Sequence, residues 1–267
     1  CPKCKMPFVF PEGLQTIPCV GCHAQLSPND SHGFKPRPLG QLHHLVYSGV
    51  NEPSDYKKKP KTKKKISLVV QYYRDNDIER QKEYDLCMKN NIENYYIDEL
   101  HVLLETDLDF YDYFQKEDKI KITNIGHRIT FKEAIEYCNS HCKDHICILA
   151  NADIYFDLTL RYLHRGIKMK GKFLALSRHD VLENGQALRF NEFTAPISQD
   201  AWIFESPVTN IPMDNVDFFF GVPGCDNRIA YEFKDNAYHV LNPALKIVAR
   251  HVHATEKRNY TQADKVV

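Results

Sequence analysis

The sequence predicts an α/β fold, with a mostly parallel (mixed) sheet flanked by helices and a small cysteine-clamped module ahead of it. Three observations carry that expectation. From Ile66 onward, short apolar runs alternate with helical segments, the pattern of successive strand–helix–strand units. Two Cys-x2-Cys pairs fall within the first 22 residues. Several of the apolar runs end in polar clusters, and strand ends of this kind are where open α/β sheets bind ligands.

At 267 residues the chain is long enough to bury a full core. Its 35 basic residues balance 35 acidic ones, so no global field draws it to nucleic acid or to a membrane surface. No apolar run approaches the roughly 20 residues needed to span a bilayer. Nine cysteines is an odd number, and Cys87, Cys138, Cys142, Cys147 and Cys225 are scattered along the chain, unlike a disulfide framework. Reduced thiols in an intracellular compartment, cytoplasmic or nuclear, are the expectation. The chain opens on Cys1 rather than Met, which reads as a fragment or a processed product.

Cys1 and Cys4 form one knuckle, Cys19 and Cys22 a second, with 14 residues between them. Thiolates so spaced can grip a tetrahedral Zn²⁺ from two sides. With short strands at "FVF" and "IPC" and turns at Pro and Gly, residues 1–26 resemble a zinc ribbon. Four protein ligands leave no open position, so this zinc would be structural. A redox pair or two disulfides is the alternative. Residues 27–65 read as a linker rich in Pro, Ser, Gly, Asn and His, ending in "KKKPKTKKK", seven lysines in the nine positions Lys57–Lys65. That run is either a solvated tether, a nuclear localisation signal, or a contact for nucleic acid or protein.

Residues 66–267 supply the larger domain. "ISLVVQYY" reads as a buried strand, followed by a helix from about Asp77 to Lys89. "ENYYIDEL" reads as the second strand, "KIKITNI" as the third and "TFKEAIEYCNSH" as a helix. "HICILAN" is the fourth strand and ends at Asn151, Ala152 and Asp153, with Asp157 opening the next helix. "KFLALSRHD" ends in Ser177, Arg178 and Asp180, and "SQDAWIFE" sets Gln199 and Asp200 ahead of a strand holding the single Trp, Trp202. "FFFGVPGCDNRIAYEF" carries a hydrophobic strand into Gly221, Pro223 and Gly224, with a helix from Asp226. In "KIVARHVHATEKRNY" His251 and His253 are two apart, hence on one face of a strand.

In that order, N-A-D at a strand end, Q-D-x-W-I-F, G-x-P-G-C-D-N opening a helix and a terminal H-x-H resemble a glycosyltransferase of the GT-A type over roughly residues 66 to 260. The resemblance implies metal-assisted transfer of a sugar from a nucleotide-diphospho-sugar donor to an acceptor hydroxyl on a glycan, protein or small molecule. It also implies Mn²⁺ or Mg²⁺ at a D-x-D position. Asn151 stands at the first acidic place of that motif, so Asp153 is left as the carboxylate ligand. His251 or His253 would complete the set, since Mn²⁺ accepts imidazole as well as oxygen. Asp226 is the expected general base, or else a routine helix cap, and Asp200 competes for the same role. Arg128 and Arg178 suit phosphate oxygens. Tyr73 would stack on a base, Asn151 could bond a ribose hydroxyl, and Gln199 and Trp202 would face the acceptor. A Cys225–His251 nucleophile and base is a weaker alternative, with no evident oxyanion hole. Two rivals stand beside the enzyme. One is a non-catalytic binding module recruited through the ribbon and the basic linker, and the other is a nucleic-acid-modifying enzyme.

Overall fold

The computed structural model describes residues 64–106, 118–165, 167–181, 198–252 and 265–266, together with the backbone of 17–18 and 25–26. The chain divides into two compact units, Cys1–Pro53 and Ser54–Val267. In the first, β1 (Ile17–Pro18) pairs antiparallel with β2 (Gln25–Leu26), Ile17 opposite Leu26. The pair brackets residues 19–24. Cys1, Cys4, Cys19 and Cys22, the linker and Lys57–Lys63 lie outside the described residues.

The second unit is built on one mixed sheet. Its strands are β3 (Ile66–Tyr72), β4 (Glu99–Leu104), β5 (Ile120–Asn124), β6 (Ile146–Ala150), β7 (Ile154–Phe156), β8 (Lys172–Val181), β9 (Gln199–Glu205), β10 (His239–Leu241) and β11 (Ala249–Val252). Their spatial order is β5-β4-β3-β6-β9-β8-β11-β7, with β10 beside the start of β8. Seven run one way, while β9 and β7 run against their neighbours. The helices are α1 (Ile78–Glu93), α2 (Phe131–His141), α3 (Arg161–Arg165) and α4 (Cys225–Asp235). No helix among the described residues is long and apolar enough to cross a membrane.

Both faces of the sheet are covered, and this explains why its strands read as continuous apolar runs. Ile66, Leu68, Val70 and Tyr72 point to one face, where Tyr84 and Met88 of α1 pack on them. Val69, Leu149, Trp202 and Phe204 point to the other, under Phe131 and Ile135 of α2 and Ile229 and Phe233 of α4. Helix starts follow local chemistry. The Asp77 side chain accepts from the backbone N–H of Glu79 and Arg80 at 2.9 and 3.2 Å, and Thr130 and Glu133 form a capping box on α2.

Two expected elements differ from the sequence reading. The second strand starts at Glu99, not Glu93, because Asn94 ends α1 and its side chain accepts from the Tyr96 N–H, turning the chain through the two tyrosines. The run Phe218–Phe220 is a loop whose one ladder contact is an isolated bridge from Phe219 to Thr130. Its rings pack on Phe131 at 5.2 Å (Phe218) and 4.1 Å (Phe220), so ring packing rather than strand pairing explains the apolar character.

β9 decides where the site forms. Running antiparallel between β6 and β8, it brings its first residues to the carboxyl ends of both, with Ala150 opposite Ala201 and Ser177 opposite Gln199. A register shift at Leu176/Ser177 then redirects the end of β8 onto β11, setting Asp180 opposite His251. At the sheet's edge, α1 covers β7 with amide side chains. Asn91 donates to Ile154 O at 2.9 Å and accepts from Phe156 N at 3.1 Å, and Asn94 donates to Phe156 O at 2.9 Å. Asn91→Ala leaves one buried donor and one buried acceptor unpaired. It is expected to destabilise the fold by about 2–4 kcal/mol in denaturant unfolding, more than the loss of a single exposed bond.

Candidate active site

Strand, turn and helix ends converge on a cavity of about 580 Å³. Tyr73, Arg128, Asn151, Asp153, Arg178, Gln199, Asp200, Asp226 and His251, predicted separately from the sequence, all line it. Trp202 does not. It is fully buried against Phe131 and Phe220, with ring centroids at 4.8 and 5.8 Å, so it cannot face an acceptor. Asp200 and Trp202 share a strand face, but two residues along β9 separate the cavity wall from the core. His253 lies outside the described residues.

Asp153 sits in the tight connection from β6 to β7 and is only 7% exposed. Its Oδ2 lies 2.5 Å from Arg80 Nη2 and 3.3 Å from His251 Nε2. Its Oδ1 is buried with no hydrogen-bond partner among the described residues. Burial opposes ionisation, but His251 and Arg80 outweigh it and hold the carboxyl well below the usual range. His251 in turn places Nδ1 2.7 Å from Asp180 Oδ1. Burial disfavours its charged form, yet the bonds to Asp153 and Asp180 raise its pKa to about 9.

Asp200 and Asp226, the rival bases, are now distinguishable. Both oxygens of Asp200 are occupied: Oδ1 accepts from Asn151 Nδ2 at 3.0 Å, and Oδ2 from Arg178 Nη1 at 2.9 Å and Ser198 Oγ at 3.4 Å. It is a clamp across the strand ends. Asp226 lies in the first turn of α4 and, among the described residues, accepts from the backbone N–H groups of Gln199 at 3.2 Å and Asn227 at 2.9 Å. Burial raises its pKa. The turn leading to it needs glycine at 224, where φ is +84° and a Cβ would come within 2.7 Å of Val266 O.

Arg128 donates from Nη2 to Phe220 O at 2.5 Å, and its guanidinium lies over Phe219 at 5.4 Å. Tyr73 shares a 2.6 Å hydroxyl contact with Tyr84. The Cys225–His251 pair is set aside, because burial pushes that thiol up to about 12 and His251 is engaged by two carboxylates. A protonated thiol is a poor nucleophile.

Three lining residues escaped the sequence reading: Arg80, Tyr84 and Glu105. Glu105 follows β4, accepts from Gln71 Nε2 and has its pKa raised by burial. Arg80 belongs to the inward stripe Arg80, Tyr84, Cys87, Asn91 of α1. An arginine on an otherwise buried helix face was the available signal.

A divalent cation fits this chemistry. Asp153 offers a buried oxygen with no hydrogen-bond partner among the described residues, and His251 sets Nε2 3.3 Å from the same carboxylate while Asp180 holds its other nitrogen, so the imidazole would bind a cation through Nε2 on giving up its proton. No group of three or more His, Cys, Asp or Glu side chains is preformed around one cation position among the described residues. Ligand or water oxygens would therefore fill the remaining coordination positions.

The folded His251 value lies above its unfolded 6.5. Its pairing therefore stabilises fully below about pH 6.5 and is lost as pH rises through about 9. The melting-temperature gap between wild type and His251→Gln is expected to be widest near about pH 6 and to shrink toward about pH 10.

No family model matches the sequence, and no curated protein matches it. Among solved structures, similarity is found to a mannosyltransferase, PcManGT, from Pyrobaculum calidifontis, in complex with GDP-Man and Mn²⁺. That match has a TM-score of 0.47 and 13% identity over 83% of this chain and 66% of that one. GalNAc-T7, with UDP, GalNAc and Mn²⁺, matches at 0.46 and 10% over 72% and 44%, and TarS of S. aureus at 0.40 and 11% over 73% and 36%. The chain thus spans less than two thirds of each. All three TM-scores are below 0.5, so the functional reading rests on the site's own chemistry.

Proposed function

We propose that the chain is a GT-A-type glycosyltransferase that moves a sugar from a nucleotide-diphospho-sugar donor to an acceptor hydroxyl, assisted by Mn²⁺ or Mg²⁺. The observation that carries this reading is the shared cavity. It holds a buried carboxylate with an open oxygen beside an oriented imidazole, two arginines and a separate carboxylate of raised pKa. A diphosphate leaving group needs the first two features, and an attacking hydroxyl needs the last.

Asp153 and His251 would hold the cation, which when bound neutralises charge growing on the diphosphate. Arg178 and Arg128 offer planar forks to phosphate oxygens, and Asp200 keeps Arg178 and Asn151 in place for that task. Tyr73, Gln71 and Glu105 form the end of the cavity past β3 and β4, where a nucleobase edge would find both donors and acceptors. Asp226 accepts the proton of the acceptor hydroxyl, and its raised pKa makes it a better base than an exposed aspartate. Gln199 offers its amide beside Asp226, on the acceptor side. The paired knuckles at Cys1/Cys4 and Cys19/Cys22 are read, on their spacing, as a structural Zn²⁺ site.

Calorimetric titration of UDP and GDP with Mn²⁺, followed by donor turnover, tests this reading. Asp153→Ala is expected to remove Mn²⁺-dependent nucleotide binding. Asp226→Asn should leave that binding within about two-fold while lowering kcat by about 10²–10⁴-fold. A wild-type protein that binds neither nucleotide with Mn²⁺, or an Asp226→Asn variant with undiminished turnover, overturns it.

A further inference from the structure

Asp153 already has a cation. Arg80, in the first turn of α1, is 8% exposed, and each of its nitrogens has a partner. Nη2 donates to Asp153 Oδ2 at 2.5 Å, Nη1 to Glu83 Oε2 and to Val252 O at 3.3 Å, and Nε to Tyr84 OH at 3.1 Å. The guanidinium also lies over the Tyr84 ring at 4.8 Å. Glu83 is itself buried, so one guanidinium serves two buried carboxylates. Isolated, either carboxylate would cost several kcal/mol.

We propose that Arg80 is the resident counter-cation of Asp153 and competes with the divalent cation for it, so that Arg80 sets how tightly this site binds metal. The inference rests on the Asp153–His251 assignment above. A unit positive charge in contact with a ligand oxygen opposes a second cation on the same carboxylate. Glu83 takes part of the Arg80 charge and so moderates the competition. In the cation-free protein Arg80 and His251 together neutralise the buried Asp153, and Arg80 does so at the expense of cation affinity. Arg80 is thus a positioning residue with a regulatory consequence: removing its charge should tighten metal binding, whereas removing the Glu83 charge should weaken it.

The test is Mn²⁺ titration of the full chain without nucleotide, following the electron paramagnetic resonance signal of free Mn²⁺, with thermal melts in parallel. Arg80→Gln is expected to bind Mn²⁺ about ten-fold more tightly than wild type, and its lowered melting temperature should recover more on adding Mn²⁺ than wild type gains. Arg80→Lys keeps the charge and should bind within about three-fold of wild type. Glu83→Gln should weaken binding, because Arg80 then answers to Asp153 alone. If Arg80→Gln binds Mn²⁺ no more tightly than wild type, Arg80 is merely structural and the inference fails. If Arg80→Gln does not fold, Glu83→Gln decides, and unchanged or tighter binding there overturns the inference. Absence of Mn²⁺ binding in every variant also overturns it, whereas the proposed function is judged separately by nucleotide titration and the Asp226→Asn turnover.

Discussion

The arrangement around the cavity depends on neutralising one buried carboxylate. Asp153 lies between elements far apart in sequence: Arg80 arrives from α1 and His251 from β11, while the Asp153 backbone carbonyl accepts from Val252 N at 3.0 Å. A carboxylate this deep is stable only when charge and hydrogen bonds answer it. Satisfying it therefore fixes α1 against the end of β11, and that contact presents β7 to Asn91 and Asn94. Position of the helix, pairing of the last strand and burial of the charge are one constraint seen from three sides.

From Asp153 the interactions continue around the cavity wall. His251 bridges Asp153 and Asp180, Arg178 bridges Asp180 at 3.2 Å and Asp200 at 2.9 Å, and Asp200 accepts from Asn151, two residues before Asp153. The signs alternate along this path, and it returns through the β6–β7 turn to its starting point. Each member orients the next, so side chains from β6, β8, β9 and β11 keep fixed relative directions. Such preorganisation is what electrostatic stabilisation of a developing charge requires. Asp226 stands apart from the ring, held by backbone N–H groups, and burial raises its pKa, whereas the ring carboxylates Asp153 and Asp180 are held below their usual range.

Much of this was legible because apolar strand runs and polar strand ends are local features. "ISLVVQYY" and "HICILAN" announce strands buried on both faces, and the polar residues that follow Ala150 or precede Ala201 mark one edge of the sheet. The errors have physical causes. Tyr95 and Tyr96 carry strand propensity, yet the Asn94 side chain turns the chain there, since tertiary context overrides propensity. Trp202 shares a strand face with Asp200, and periodicity alone cannot say that two residues along the strand cross from cavity to core. Arg80 was hidden because its partner Asp153 is 73 residues away, a pairing that only the folded chain creates.

Asn151 was the weak point of the D-x-D comparison, and its contacts give it a reason. Its Nδ2 donates to Asp200 Oδ1, while Asp200 Oδ2 is taken by Arg178. An aspartate at 151 would set two carboxylates in contact with one guanidinium to neutralise both, and one of them would be driven toward its protonated form. The amide avoids that conflict, because it can donate where a carboxylate can only accept. Asn151 therefore donates to Asp200 while Arg178 stays directed along the cavity wall, and it leaves the anionic role of the motif to Asp153. The departure from the acidic pattern is coherent with the charge ring of this chain and does not by itself argue for a site that has lost its chemistry.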